Sequence, residues 1–390
     1  MRIAGRVGAL GGEGAMEVYA RARELEAAGR AVIHLELGEP DFHPALEVVV
    51  AAQAALTLGR DRYCPPCGLP ELRAALARHL GQSREANLKA ENVAVTSGCK
   101  LALFLAMLAL IEPGDEVLCP EPSFPAYPSI TRGLGATPVQ YRLGEERGFQ
   151  PEAAEIEKLA TAKTRGLILC SPNNPTGTVY GKAEMEAIAK LARERDWWVI
   201  ADEVYARIVY GGRYESIATL PGMPERTAII DGFSKSYAMT GWRLGYAAGP
   251  KELIAAMELL IVNSFTCAPE FIQVAAVEAL RDRSQHAAVM VAEYARRREA
   301  FVNGINAIPG LQCAMPEGAF YAWVKVTAAG RTAEAVQRAL LEEAGVAAIH
   351  GRGFGPSGEN YLRFSFADGR GLEAALQGIR ATMENRAGGD

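Results

Sequence analysis

Lys235 stands in the run Ser234-Lys235-Ser236, and Arg243 follows eight residues later. A protonated amine is a poor nucleophile in water. Beside a second cation in a pocket it loses its proton more easily and can form a Schiff base with a carbonyl. Arg243 supplies such a cation and can also grip a phosphate with two parallel hydrogen bonds. Lysine, hydroxyls and arginine together suit an aldehyde that carries a phosphate, and pyridoxal 5'-phosphate (PLP) is one. Alone, Ser-Lys-Ser decides nothing, because most lysines are solvated surface charges. The rest of the chain has to supply the partners.

The elements around Lys235 predict where those partners lie. Apolar runs at Val93–Thr96, Glu116–Cys119, Gly166–Cys170, Trp198–Ala201 and Ala228–Asp231 read as strands, and helical patterns alternate with them. Strands that are apolar without interruption imply a mainly parallel sheet covered on both faces. Ligands of such sheets bind at the C-terminal strand ends. Ser97, Phe124, Asn174, Asp202 and Lys235 all fall at those ends. Gly98 and Cys99 open an apolar helix, Leu101–Ile111, and free N–H groups at a helix start make an anion cradle.

Flanking patterns complete the reading. Helices are expected over Gly14–Gly29, Leu46–Leu58, from Pro70, over Lys182–Arg195 and over Glu252–Val262, with one long helix through Phe271 to Ile305. A strand is expected over Val32–Leu37. The C-terminal part reads as a smaller α+β domain, with strands at Ala319–Val326, Val346–His350 and Tyr361–Phe366 and a last helix near Leu372–Glu384. No internal repeat or low-complexity linker is evident.

Composition narrows the class. The chain has 390 residues, 49% of them apolar, enough for a large core, and its net charge of -5 gives no hint of nucleic-acid binding. No run reaches the ~20 apolar residues of a membrane span, and no apolar signal core follows the N-terminus, so the expected location is cytoplasmic. The seven cysteines are an odd, scattered set, which argues against a disulfide framework. Cys64-Pro65-Pro66-Cys67 has CxxC spacing, but no second ligand pair accompanies it, so no metal site is expected.

These motifs, taken in order, resemble those of fold type I PLP enzymes in the class I aminotransferase group. The resemblance runs from about Leu35 to the last helix. It rests on Leu37-Gly38-Glu39-Pro40-Asp41-Phe42, on Tyr63 with Gly68-Leu69-Pro70-Glu71-Leu72-Arg73, and on Thr96-Ser97-Gly98. Pro113-Gly114-Asp115-Glu116, Ser171-Pro172-Asn173-Asn174-Pro175-Thr176-Gly177, Asp202-Glu203-Val204-Tyr205, Ser234-Lys235 with Arg243, and Tyr361-Leu362-Arg363 complete it. It implies an α/β fold with a large domain, 42–270, built on a mainly parallel seven-stranded sheet between helices. A smaller domain would comprise 1–41 and 271–390. The implied activity is transfer of an α-amino group from an amino acid to a 2-oxo acid by a ping-pong scheme.

The same resemblance implies roles. Lys235 would hold PLP as a Schiff base and carry the substrate's proton. Asp202 would face the pyridine nitrogen, and Asn174 and Tyr205 the phenolic oxygen. Phe124 would stack on the ring. Gly98, Cys99, Lys100, Ser234 and Arg243 would hold the phosphate. Tyr63 would reach the phosphate of a neighbouring subunit, which implies a homodimer with shared active sites. Arg363 would pair with the substrate carboxylate, and Gly38 would approach it with its backbone.

The sequence also departs from the family. Gly232 stands three before the lysine, where a hydroxyl residue is usual, so one phosphate hydrogen bond is expected to be missing, worth about 1 kcal/mol. The CPPC turn is a second departure. Gly11-Gly12-Glu13-Gly14 lacks the hydroxyl residues of aspartate-specific relatives, and Glu13 reads either as a solvated charge or as a partner for a cationic side chain. Related chemistry on the same scaffold, β-elimination at sulfur, decarboxylation or cyclopropane formation, stays open at this point. A sensor domain of a transcription regulator would need an N-terminal DNA-binding extension, and the motifs here start at residue 37.

Overall fold

The structure is a computed structural model that describes residues 1–385 except Glu13 and Arg213. Seven strands form its central sheet: β1 (Val93–Thr96), β2 (Glu116–Glu121), β3 (Thr137–Arg142), β4 (Thr164–Cys170), β5 (Trp198–Asp202), β6 (Thr227–Gly232) and β7 (Gly245–Ala248). Their spatial order is β1-β7-β6-β5-β4-β2-β3. All neighbours run parallel except β7, which is antiparallel to both β1 and β6. The α/β fold with a mainly parallel sheet is therefore the one expected.

The strands are apolar throughout because both faces are covered. In β4, Ile168 and Cys170 pack with Leu103 and Met107 of the helix Cys99–Leu110, whereas Leu167 and Leu169 pack with Met185 and Ile188 of the helix Lys182–Glu194. A strand with one wet face would alternate instead.

A second, antiparallel sheet has the order β10-β11-β9-β8, from β8 (Leu311–Cys313), β9 (Tyr321–Val326), β10 (Ile349–His350) and β11 (Tyr361–Ser365). The N-terminal segment joins this part. Helix α1 (Gly14–Ala27) buries Ala22 and Leu25 against Leu341 and Ala347, and Ile33–His34 pairs in parallel with Val346–Ala347. Among the described residues no helix is long and apolar enough to cross a membrane.

Four local readings change, and the first is the strand expected over Val346–His350, which is two short strands, Val346–Ala347 and Ile349–His350, in different sheets. The strand expected over Val32–Leu37 is confined to Ile33–His34, since Gly38-Glu39-Pro40 leads the chain into a loop. The long helix expected through 271–305 is two, Glu270–Arg281 and His286–Asn306. Asp282 and Gln285 between them adopt φ of 44° and 52°, the left-handed region that ends helices. Apolar spacing continues on both sides, so periodicity hides the break. Strand β3 escapes a reading by apolar runs because it is an edge strand whose residues, Tyr141 apart, are partly or fully exposed.

Candidate active site

A cavity of about 360 Å³ opens at the C-terminal ends of the central strands. The first turn of α1 and residues of the second sheet close its far side. Lys235 enters from the short helix that follows β6, and its Nζ donates to the Gly38 carbonyl at 2.5 Å. Asp202 ends β5. Its Oδ2 accepts from the Tyr127 hydroxyl at 2.6 Å, and its Oδ1 accepts from the Val204 N–H at 3.4 Å. Burial pushes the carboxyl up to about 6; the Tyr127 and Val204 hydrogen bonds work against that rise, while Asp231 and Glu203 add to it. Behind the strand ends the buried Arg84 pairs with Asp231 and, Nε to Oε2 at 3.1 Å, with Glu203. This partner keeps the acids next to Asp202 from standing uncompensated.

Arg243 and Lys100 also line the cavity. Gly98 has φ 96°, and a Cβ built on it would lie 2.5 Å from Arg243 Nη2. Glycine there lets the guanidinium lie against the start of the helix Cys99–Leu110, where the first N–H groups lack carbonyl partners. Arg243 Nη1 donates to the Thr240 carbonyl at 2.9 Å. Lys100 Nζ lies 5.4 Å from the centre of the Phe124 ring. The Gly232 departure has a local cause. A Cβ at Gly232 would lie 2.5 Å from Cys99 Sγ and 2.7 Å from Gly245 Cα, so the space a hydroxyl side chain needs is filled.

Arg363 occupies the third corner. It is buried on β11, donates from Nη1 to Asn174 Oδ1 at 3.1 Å and from Nη2 to the Glu36 carbonyl at 2.5 Å, and lies 4.4 Å over the Tyr321 ring. The hydroxyls of Tyr205 and Tyr321 are 2.8 Å apart. A Cβ at Gly38 would lie 2.0 Å from the Tyr321 hydroxyl, so only a glycine fits beside it.

Lys235, Asp202, Tyr205, Asn174, Phe124, Cys99, Lys100, Ser234, Arg243, Gly38 and Arg363 all line this one cavity. Gly98 adjoins it through Arg243. Tyr63 does not line it and is 86% exposed. Glu13 lies outside the described residues. Among the cavity residues to which the sequence gives no role are Tyr127, Tyr321 and Glu36. Tyr127 stands three after Phe124, one helical turn on, and that spacing is the signal available for it. Tyr321 and Glu36 each sit in an apolar strand pattern that gives no sign of a site.

The cavity gathers a buried acid, an amine, an aromatic ring and an arginine that lies against a helix N-terminus. It suits a flat ring that carries a basic nitrogen and an anionic arm.

Residues 30–379 match the family model described as aminotransferase class I and II. The chain is 42% identical over 345 residues to the putative aminotransferase YugH of Bacillus subtilis, covering 88% of this chain and 89% of the relative. It is 39% identical over 368 residues to an aspartate/prephenate aminotransferase of Thermus thermophilus, with 93% of each covered. The solved aspartate aminotransferase from Thermus thermophilus with maleate superposes with a TM-score of 0.93 at 36% identity, over 98% of this chain and 100% of that one.

Proposed function

Because the chain belongs to the class I and II aminotransferases, a PLP-dependent family, we propose that its cavity holds PLP and moves the α-amino group of an amino acid to a 2-oxo acid through Lys235. The observation that carries this reading is the meeting of the Lys235 amine, the buried Asp202 carboxylate and Arg243 on one cavity at the sheet's C-terminal ends. When bound, PLP supplies a carbonyl carbon that takes up the amino group and a ring that accepts electrons.

The chain's own residues then divide the work. Arg243, Ser234 and the Cys99 N–H hold the phosphate, with Lys100 beside them; Gly98 gives its own N–H to the Thr96 carbonyl at 2.8 Å and serves by leaving room for Arg243. Phe124 packs on the ring face. Asp202 holds positive charge at the ring nitrogen, and Tyr127 fixes that carboxylate's orientation through its hydrogen bond. Tyr205 and Asn174 donate toward the ring's oxygen. Arg363 binds the substrate carboxylate, held in place by Asn174, Tyr321 and the Glu36 carbonyl. Lys235 Nζ, parked on the Gly38 carbonyl next to that carboxylate position, moves a proton to and from the substrate α-carbon.

The division into a cofactor lobe, 42–270, and a lobe formed by 1–41 and 271 onward is part of the same proposal. Lys235 and Asp202 lie on the first lobe, Gly38 and Arg363 on the second. A homodimer is proposed as well, with the exposed Tyr63 reaching the cavity of a second copy. The test is direct. Purified protein is expected to show bound-cofactor absorbance that an amino acid changes and a 2-oxo acid restores. Lys235→Ala abolishes both that cycle and transamination; wild-type rates in this variant would refute the assignment.

A further inference from the structure

Along the segment that ends in Gly38, side chains alternate between two cores. Ile33 and Leu35 pack into the C-terminal core, while Val32 packs against α1. His34 shares the α1 face. Its ring centre lies 5.8 Å from that of Tyr19, and its Nε2 meets Glu26 Oε1 at 3.2 Å. Glu36 follows on the same face, with Oε1 2.7 Å from His34 Nδ1. Burial lowers the pKa of the His34 ring, but hydrogen bonds and charge from Glu36 and Glu26 outweigh it and raise that pKa. Each ring nitrogen faces a carboxylate oxygen, and only the protonated ring has an N–H for both, so these partners favour that form.

One oxygen is left over. Glu36 is 0% exposed, and its Oε2 has no hydrogen-bond partner among the described residues. An unmatched buried carboxylate oxygen is costly, so a native chain retains one where a ligand or water completes it. Glu36 lines the cavity described above, as do Gly14, Ala15 and Met16 of the first turn of α1. The Arg363 guanidinium reaches the main-chain oxygen of Glu36 itself, so the arginine and this carboxylate belong to one corner.

We propose that Glu36 is the recognition point for a cationic, hydrogen-bond-donating side chain of the amino donor, an ammonium or a guanidinium. This inference rests on Arg363 being the anchor for the donor's α-carboxylate. A donor so anchored extends its side chain from the Arg363 corner along the α1 wall. There Glu36 Oε2 accepts a hydrogen bond, His34 locks the other oxygen, and Glu26 holds His34. Arg23 and His34 both face Glu26, so what favours a cationic side chain over an acidic one here is the unmatched Glu36 oxygen itself and not a net charge of the cluster.

The experiment uses the holoenzyme and two readouts. The first is calorimetric binding, to the holoenzyme in its pyridoxamine form so that no Schiff base can form with the probe's amine, of 6-aminohexanoate and 5-guanidinopentanoate against hexanoate. The second is the rate of cofactor spectral change with lysine and arginine against norleucine. At least one cationic probe is expected to exceed its neutral counterpart by about tenfold or more in both readouts. Glu36→Gln is expected to bring that ratio to near one. Norleucine turnover in the same sample reports a folded, loaded variant. If wild type turns over norleucine but favours neither cation, or if Glu36→Gln keeps the preference, the proposal is overturned. Should the variant fail to fold, the wild-type ratio decides alone. A failure of the underlying reading looks different: no amino acid changes the cofactor spectrum, and no carboxylate probe binds.

Discussion

Replacing Asp202 with asparagine separates what this carboxylate does for the bare protein from what it does for the cofactor. In the cofactor-free fold its pKa stands near 6 instead of the usual 3.8, with burial as the main cause. A carboxyl whose folded pKa lies above its unfolded value stabilises the fold below the unfolded pKa. That contribution is lost as pH rises through the folded pKa. The window therefore runs from about pH 4 to about pH 6. At 1.36 kcal/mol for each unit of pH, the rise is worth about 3 kcal/mol. At pH 8 the ionised Asp202 costs the cofactor-free protein up to about that amount, because a buried anion has lost its hydration. Asparagine keeps an oxygen to accept the Tyr127 hydroxyl but carries no charge. Cofactor-free Asp202→Asn should therefore be more stable than cofactor-free wild type at pH 8, by about 1 to 3 kcal/mol. The gap should close below pH 4. Urea unfolding of both proteins at pH 4, 6 and 8, at one protein concentration, measures it. With cofactor bound the order should reverse, since a protonated ring nitrogen gives the wild-type carboxylate its counter-charge. A stability gap that is absent, or that does not change with pH, would refute the account of Asp202 as a desolvated anion kept for a cation.

Two further variants probe the phosphate end. Arg243→Ala should weaken PLP binding by at least about thirtyfold, since a charge-assisted bidentate contact is lost; unchanged affinity in a fluorescence titration would remove Arg243 from the phosphate site. Gly232→Ser should not restore a phosphate contact. Its Cβ would meet Cys99 Sγ at 2.5 Å and Gly245 Cα at 2.7 Å, so the expected outcome is a loss of about 1 to 3 kcal/mol in unfolding free energy with no gain in PLP affinity; tighter PLP binding in this variant would contradict the packing argument.

Legibility in the sequence followed how local each feature is. Lys235, Asp202, Asn174 and Gly98 were readable because a strand end, a turn and a helix start all lie within a few residues of each, and the parallel sheet brings such ends together without further information. The missing hydroxyl at Gly232 was readable as a departure, but not its reason, because Cys99 belongs to a different βα turn and meets Gly232 only through the pairing of β7 with both β1 and β6. The break at Asp282–Gln285 was hidden because backbone φ leaves no trace in apolar spacing. Tyr127 and Tyr321 act on Asp202 and Tyr205 across 75 and 116 residues, so their roles exist only in the fold. Glu36 is the sharpest case. A glutamate inside an apolar run reads as a strand residue with its charge in water, yet it is 0% exposed and has one oxygen without a partner. Burying that charge contradicts the local pattern, and such contradictions mark functional positions. The motif next to it, Gly38-Glu39-Pro40-Asp41, is what draws the eye in the sequence. Under the proposed function that motif would serve any donor's carboxylate, whereas the proposal for Glu36 concerns the one part of the donor that differs between amino acids.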